Sequence, residues 1–122
     1  MNKPEQRPWG HYTILASLAV EHTDGHDVVV KKLCIHPGQQ VSYQSHQQRH
    51  EHWTFVQGTG VVTLNEKRIP VATGSLISIP LGAKHRVTNT HGTEDLIFIE
   101  VIRGKYDEED IMRYQDDYGR VT

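Results

Sequence analysis

Short apolar segments rich in Val, Ile, Thr and aromatic residues recur along the chain between clusters of Gly, Pro, Asn and Asp. They are YTILASLAV at 12–20, DVVVKKLCI at 27–35, HWTFV at 52–56 and GVVTL at 60–64, then RIPVA at 68–72, SLISI at 75–79, HRVT at 85–88 and DLIFIEVI at 95–102. Little helical sequence separates them, so the crossovers that a parallel sheet needs are missing. The pattern predicts an all-β antiparallel sandwich or barrel. One exception is DEEDIMRYQ at 107–115, where Asp107 can cap a first turn filled with acidic residues. It predicts one short C-terminal helix. The end segments RPWGHY and RYQDDYGR are expected to pack on the barrel as arms.

The 122 residues show no break in composition, which fits a single domain over 1–122. A formal charge of -2 provides no basic field for wrapping nucleic acid or coating a membrane surface. Apolar runs fall short of the roughly 20 residues of a bilayer span, and MNKPEQRPWG lacks the apolar stretch of a signal peptide, so a cytoplasmic location is expected. Cys34 is the sole cysteine, which excludes an internal disulfide and a thiolate-rich zinc site. A metal is therefore expected to use His, Gln, Asp or Glu. Nine histidines in a chain of this size direct attention to where such ligands could converge.

In GSLISIPLGAKHRVTN, the residues Gly74, Pro80, Gly82, His85 and Asn89 are spaced G-x5-P-x-G-x2-H-x3-N, which resembles the second sequence motif of the cupin superfamily. Physically this is a strand, a tight Pro/Gly turn, and a strand opening on a His able to point inward. Upstream, Gly38, Gln44, His46, Glu51 and Gly58 resemble the first cupin motif, with Gln44 replacing its first His. The candidate ligands are thus Gln44, His46, Glu51 and His85. Gln44 and His46 lie two apart and share one face of a strand. Glu51 alternates in phase with Trp53 and Phe55 and out of phase with His52, Thr54 and Val56, which argues that Glu51 faces the interior. A competing register, His46, Gln48, His52 and His85, satisfies the same two-residue rule. The first set leaves coordination positions open to water or substrate and suits one divalent ion, Zn, Mn, Co, Fe or Ni.

With these residues in view, the chain resembles the type II phosphomannose isomerase cupin, the C-terminal domain of bifunctional mannose-1-phosphate guanylyltransferase/mannose-6-phosphate isomerases. The resemblance is carried by RPWGHY at 7–12, VKKL and HPGQ within 30–39, SYQSHQQRHEHW at 42–53 and GTGVVTLN at 58–65. The Pro80 to Asn89 motif and EEDIMRYQDDYGR at 108–120 complete it. It implies a jelly roll that binds a divalent metal and interconverts mannose 6-phosphate and fructose 6-phosphate. By analogy of fold, a homodimer is expected. The 122 residues include no nucleotidyltransferase segment, so guanylyltransferase activity is not expected of them. Gln47 and Gln48 stand in a stretch that is commonly His-rich in the family, and Ile102 stands where a polar residue is usual.

Aldose–ketose isomerisation needs a proton carrier beside polarised oxygens. The candidates are Glu100, within the apolar run LIFIEVI, and Lys84 and His52 near the motif histidines. Glu100 either lines the cavity or leans outward from an edge. A phosphate needs fixed cations, for which Arg7, Lys31, Arg86 and Arg113 are the candidates. Lys31 shares a face with Leu33 and Ile35. Trp9, Trp53 and Phe55 are expected in the core, and Tyr114 and Tyr118 are expected to hold the C-terminal arm. Two other functions fit the same residues: a non-catalytic module binding a sugar or sugar nucleotide, and a small cupin dioxygenase using Fe(II).

Overall fold

The computed structural model describes residues 2–18 and 25–119. Its strands are β1 Glu5–Arg7, β2 Gly10–Leu18, β3 Asp27–Ile35, β4 Tyr43–Ser45, β5 Arg49–Gln57 and β6 Thr59–Leu64, followed by β7 Lys67–Ala72, β8 Leu76–Ile79, β9 His85–Asn89, β10 Leu96–Gly104 and β11 Met112–Gln115. They form a six-stranded sheet in the order β1-β2-β3-β10-β5-β8 and a five-stranded sheet in the order β11-β4-β9-β6-β7. All pairings are antiparallel. The protein is an all-β sandwich, as the strand pattern predicts.

Inward positions of both sheets supply one core. Phe55 and Phe98 pair across β5 and β10 with ring centroids 4.9 Å apart, and Leu96, Ile35, Val62 and Val87 close around them. Burying each such aromatic or aliphatic side chain stabilises the fold by about 1.5–3 kcal/mol relative to exposure. Along β5 the alternation is complete from Arg49 to Val56: Arg49, Glu51, Trp53 and Phe55 are buried, while His52, Thr54 and Val56 are exposed and His50 is half-buried. Two charged residues therefore share the interior face with two aromatics. That half of the core is built as a polar cavity.

The predicted C-terminal helix is absent, and no helix occurs among the described residues. Asp107 does cap a turn: its side chain accepts from the Glu109 amide at 3.0 Å and its carbonyl from the Asp110 amide at 3.0 Å. The chain then extends as β11, where Met112 pairs with Ser45 and Arg113 with Gln44. Asp110 anchors the change of direction by accepting from the amides of Gln47 and Gln48 at 2.9 and 3.0 Å. A capping signal starts a turn in either case. The open edge of β4 decides that a strand follows it.

The N-terminal arm also joins the sheet, as a hairpin through Arg7-Pro8-Trp9-Gly10. Gly10 has φ +151° and lies so close to β3 that a Cβ would sit 2.0 Å from the Cys34 carbonyl oxygen. Only glycine permits this approach. It seats Trp9 in the core, with its carbonyl accepting from the His36 amide at 2.9 Å.

Candidate functional site

Three strands deliver the central cluster. β4 ends one residue before His46, β5 carries Glu51, and β9 opens on His85. Each offers a ligand atom within 4.8 Å of the others, and all three are buried. His46 Nε2 lies 3.4 Å from Glu51 Oε2, and His85 Nε2 lies 3.9 Å from Glu51 Oε1.

The tautomers follow from the partners. His46 Nδ1 lies 2.6 Å from the Asp110 carbonyl and His85 Nδ1 lies 3.0 Å from the Ala83 carbonyl. A carbonyl only accepts, so both Nδ1 atoms carry a proton, and the Nε2 atoms of both rings are the ones turned to Glu51. Burial pushes the His46 pKa down to about 4, against the pull of the Glu51 charge. Two imidazoles converging on one carboxylate, each fixed by a backbone carbonyl behind it, are a donor arrangement that could hold a divalent metal. The residues present fit such an ion. Gln44 pairs with His85 across β4 and β9 and lines the same cavity. Its amide nitrogen donates to Ser42 Oγ at 3.0 Å and the Ser42 carbonyl at 3.2 Å, contacts that leave its oxygen unused.

Beside the cluster stands a second carboxyl. Glu100 is buried at the centre of β10, opposite Trp53 on one side and Lys31 on the other. The Trp53 indole nitrogen donates to Glu51 Oε1 at 3.0 Å and to Glu100 Oε1 at 3.1 Å, holding the two acids together. Burial and the adjacent Glu51 charge raise the Glu100 pKa well above the carboxylate range. For Glu51, burial acts in the same direction but is outweighed by the hydrogen bond from Glu100 and by the charges of its neighbours, so its pKa is lowered. Of the pair, Glu100 is the member that keeps its proton to higher pH.

Cations line the same cavity. Lys31, Arg7 and Arg113 all border it, and the Lys31 ammonium lies 4.3 Å above the Tyr12 ring and 4.8 Å from the Tyr106 ring. Burial lowers the Lys31 pKa, opposed by Glu100 and Glu108. Glu108 approaches Lys31 to 3.7 Å and accepts a hydrogen bond from the Tyr106 hydroxyl. Arg49 reaches the central cluster: its Nε and one terminal nitrogen each stand 2.9 Å from Glu51 Oε2, and that nitrogen also donates to His46 Nε2 at 3.1 Å.

The structure therefore gathers Gln44, His46, Glu51, His85, Glu100, Lys31, Arg7 and Arg113 around one cavity. It does not bring Lys84, His52 or Arg86 there. Lys84 is exposed, its ammonium 4.4 Å above the Tyr114 ring, and His52 is exposed beside Ser78 Oγ at 3.2 Å. Arg86 instead ties the C-terminal segment to the sheet, donating to the carbonyls of Val41 at 2.8 Å and Gln115 at 3.2 Å. The competing register fails for the same reason, because His52 and Gln48 both face outward. Arg49, Tyr12, Tyr106 and Glu108 were not foreseen. For Arg49 the signal was present, since the two-residue alternation that turns Glu51 inward also turns Arg49 inward.

Comparison with known proteins assigns the family. The family described as "Mannose-6-phosphate isomerase C-terminal" matches residues 1–116. The chain belongs to this family. Its relatives include the mannose-1-phosphate guanylyltransferase ManC of Salmonella typhimurium, 38% identical over 122 residues, and the mannose-1-phosphate guanylyltransferase of Escherichia coli K12, 39% identical over 116 residues. The matches cover 99% and 94% of this chain but 24% and 23% of those proteins. The family member described here thus spans about a quarter of the length of its curated relatives. Among solved structures, the capsular polysaccharide assembling protein CapF from Staphylococcus aureus aligns over 93% of this chain and 34% of its own, with a TM-score of 0.74 at 18% identity. KdgF from Halomonas aligns over 88% and 90%, with a TM-score of 0.74 at 15% identity. These likenesses establish the cupin-type fold. In this family member, Arg7, Trp9 and Gly10 of the N-terminal motif form the hairpin beside the cavity, and Asp117, Tyr118 and Gly119 of the closing motif lie within the described segment. Arg120 lies outside the described residues.

Proposed function

We propose that this domain is a divalent-metal-dependent aldose–ketose isomerase interconverting mannose 6-phosphate and fructose 6-phosphate. The observation that carries the reading is the pair of imidazoles, His46 and His85, presenting Nε2 to the buried Glu51 carboxylate, with the Glu100 carboxyl, whose pKa burial raises, beside it. Gln44, His46, Glu51 and His85 are the ligands. When bound, the ion supplies Lewis-acid polarisation of the oxygens on the two reacting carbons.

The remaining chemistry belongs to side chains. Glu100 is the proton carrier, held at the cavity wall by the Trp53 indole at 3.1 Å and supplied with charge balance by Lys31 across β3. Isomerisation takes a proton from one carbon and returns it to the next, so Glu100 acts as the base from its carboxylate form, which the Lys31 ammonium favours and which a cation offsetting the Glu51 charge would favour further. Lys31, Arg7 and Arg113 receive the phosphate, Tyr12 lines the cavity, and Tyr106 packs its ring against Lys31. Arg49 anchors Glu51.

A second reading has one observation in its favour. Arg49 already balances Glu51 and satisfies the His46 lone pair, so the cavity could bind a sugar phosphate through protein cations alone, without turning it over. A coupled assay with mannose 6-phosphate, with and without added Zn, Mn or Co, separates the two. Turnover that a chelator abolishes and metal restores supports the isomerase. Metal-independent binding without turnover of any hexose phosphate overturns it.

A further inference from the structure

A second group of potential ligands lies on the opposite face of β3, away from the cavity. Cys34, His36 and Asp95 each place a ligand atom within 4.8 Å of the others. Cys34 and His36 are two apart, so they share a face of the chain. Asp95 directly precedes Leu96, which pairs with Ile35, so Asp95 arrives alongside His36. Its backbone is held in turn: the Asp95 carbonyl accepts from Gln57 Nε2 at 3.2 Å and packs so closely on Gly58 that a Cβ there would approach it to 2.7 Å. On the other side, His11 of β2 pairs with Cys34, and its ring stands 5.8 Å from that of His36.

We propose that Cys34, His36 and Asp95, completed by His11 or water, form an accessory binding site for a thiophilic divalent cation such as Zn²⁺, independent of the central cluster. A thiolate, an imidazole and a carboxylate make a donor set suited to tetrahedral zinc. Metal–ligand bonds of about 2.0–2.3 Å place tetrahedral ligand atoms roughly 3.3–3.8 Å apart. The His36 Nδ1 to Asp95 Oδ1 distance is already 3.2 Å. The thiol forms the floor of the site at 3% exposure, whereas the His36 and Asp95 side chains are 49% and 40% exposed, so an ion can enter from solvent and the two rim groups can adjust around it.

The chemistry balances simply. Burial, reinforced by the Asp95 carboxylate to which the thiol hydrogen bonds, pushes Cys34 up to about 11, so the free thiol is protonated and inert at neutral pH. Binding forms a sulfur–metal bond and releases the thiol proton to water. The ion would join the ends of β2 and β3 to the loop that leads into β10. Nothing in the proposed isomerisation calls on these residues.

Co²⁺ titration of the intact chain gives a readout that turnover does not affect. Cys34 is the sole sulfur of its kind, and the central cluster has no thiolate, so a near-ultraviolet thiolate-to-cobalt charge-transfer band can arise only at this site. The band is expected to saturate at one ion per chain and to disappear in Cys34→Ser, which should also lose one equivalent of Zn²⁺ in a competition titration. His36→Ala and Asp95→Asn are expected to weaken Co²⁺ binding roughly tenfold or more. No band in the folded wild-type protein overturns the proposal. So does a band of unchanged affinity in both His36→Ala and Asp95→Asn, since the thiol would then be acting alone.

Discussion

Arg49 and Glu51 sit two residues apart on β5 and turn the same way, into the cavity, where the guanidinium grips the carboxylate through two nitrogens, each at 2.9 Å. Both are buried, so each charge depends on the other. Replacing Arg49 with Met strands the Glu51 charge, which costs about 3–5 kcal/mol for a buried pair broken on one side. A divalent ion held by His46, Glu51 and His85 would restore the balance. Arg49→Met is therefore expected to lower the denaturation midpoint strongly in chelator and much less in saturating Zn²⁺. An equal loss in both conditions would show that no cation substitutes for the guanidinium.

The orientation of β5 separates Glu51 from its neighbour His52. Glu51 is 2% exposed within the cluster, whereas His52 is exposed and contacts Ser78. Metal content measured on purified variants should drop by one equivalent in Glu51→Ala and remain at the wild-type level in His52→Ala. The reverse result would place the ion on the other face of the strand.

Cations at the cavity and cations outside it make different predictions. Arg7 lines the cavity with its guanidinium 4.9 Å from the Tyr12 ring, while Arg86 binds carbonyls of Val41 and Gln115. Arg7→Ala is expected to raise KM for a phosphorylated sugar by roughly tenfold, the loss of a charge-assisted contact worth about 1.5 kcal/mol, and to spare an unphosphorylated analogue. Arg86→Ala should loosen the C-terminal segment, seen as faster proteolysis there, without that selectivity. Equal effects of Arg7→Ala on both sugars would remove Arg7 from the phosphate subsite.

Protonation of His46 sets a pH limit on the metal-free protein. Its pKa is lowered from the ordinary 6.5 to about 4, chiefly by burial. Between those values the unfolded chain binds a proton that the folded chain does not, so stability is full above pH 6.5, falls as pH drops towards 4, and levels below that. Urea midpoints measured at stepwise pH should show this slope in the wild type and a shallower one in His46→Gln. Parallel slopes would assign the acid sensitivity to another group.

Much of this architecture follows from local pattern. The eight apolar segments coincide with β2, β3 and β5 to β10, because a strand half-buried in a sandwich must alternate and must be interrupted by residues that can turn. That Gln44, His46, Glu51 and His85 line one cavity was legible because period-two alternation and motif spacing constrain which side chains can meet. Lys84 and Arg86 were not separable from Arg7 and Arg113 in this way. A cation at a motif position can face the cavity or staple a neighbouring segment, and its own strand does not say which.

The sequence by itself determined the strand count in the body of the fold, the inward face of β5 and which of its side chains turn to the cavity. Tertiary structure alone decided that the capped turn at Asp107 leads into a strand, because the exposed edge of β4 competes for the backbone groups a helix would have satisfied internally. It also decided that Arg49 reaches both His46 and Glu51, and that Asp95, sixty-one residues from Cys34, comes beside it. Such contacts join residues far apart in the chain through sheet register, and register is set by packing across the whole sandwich.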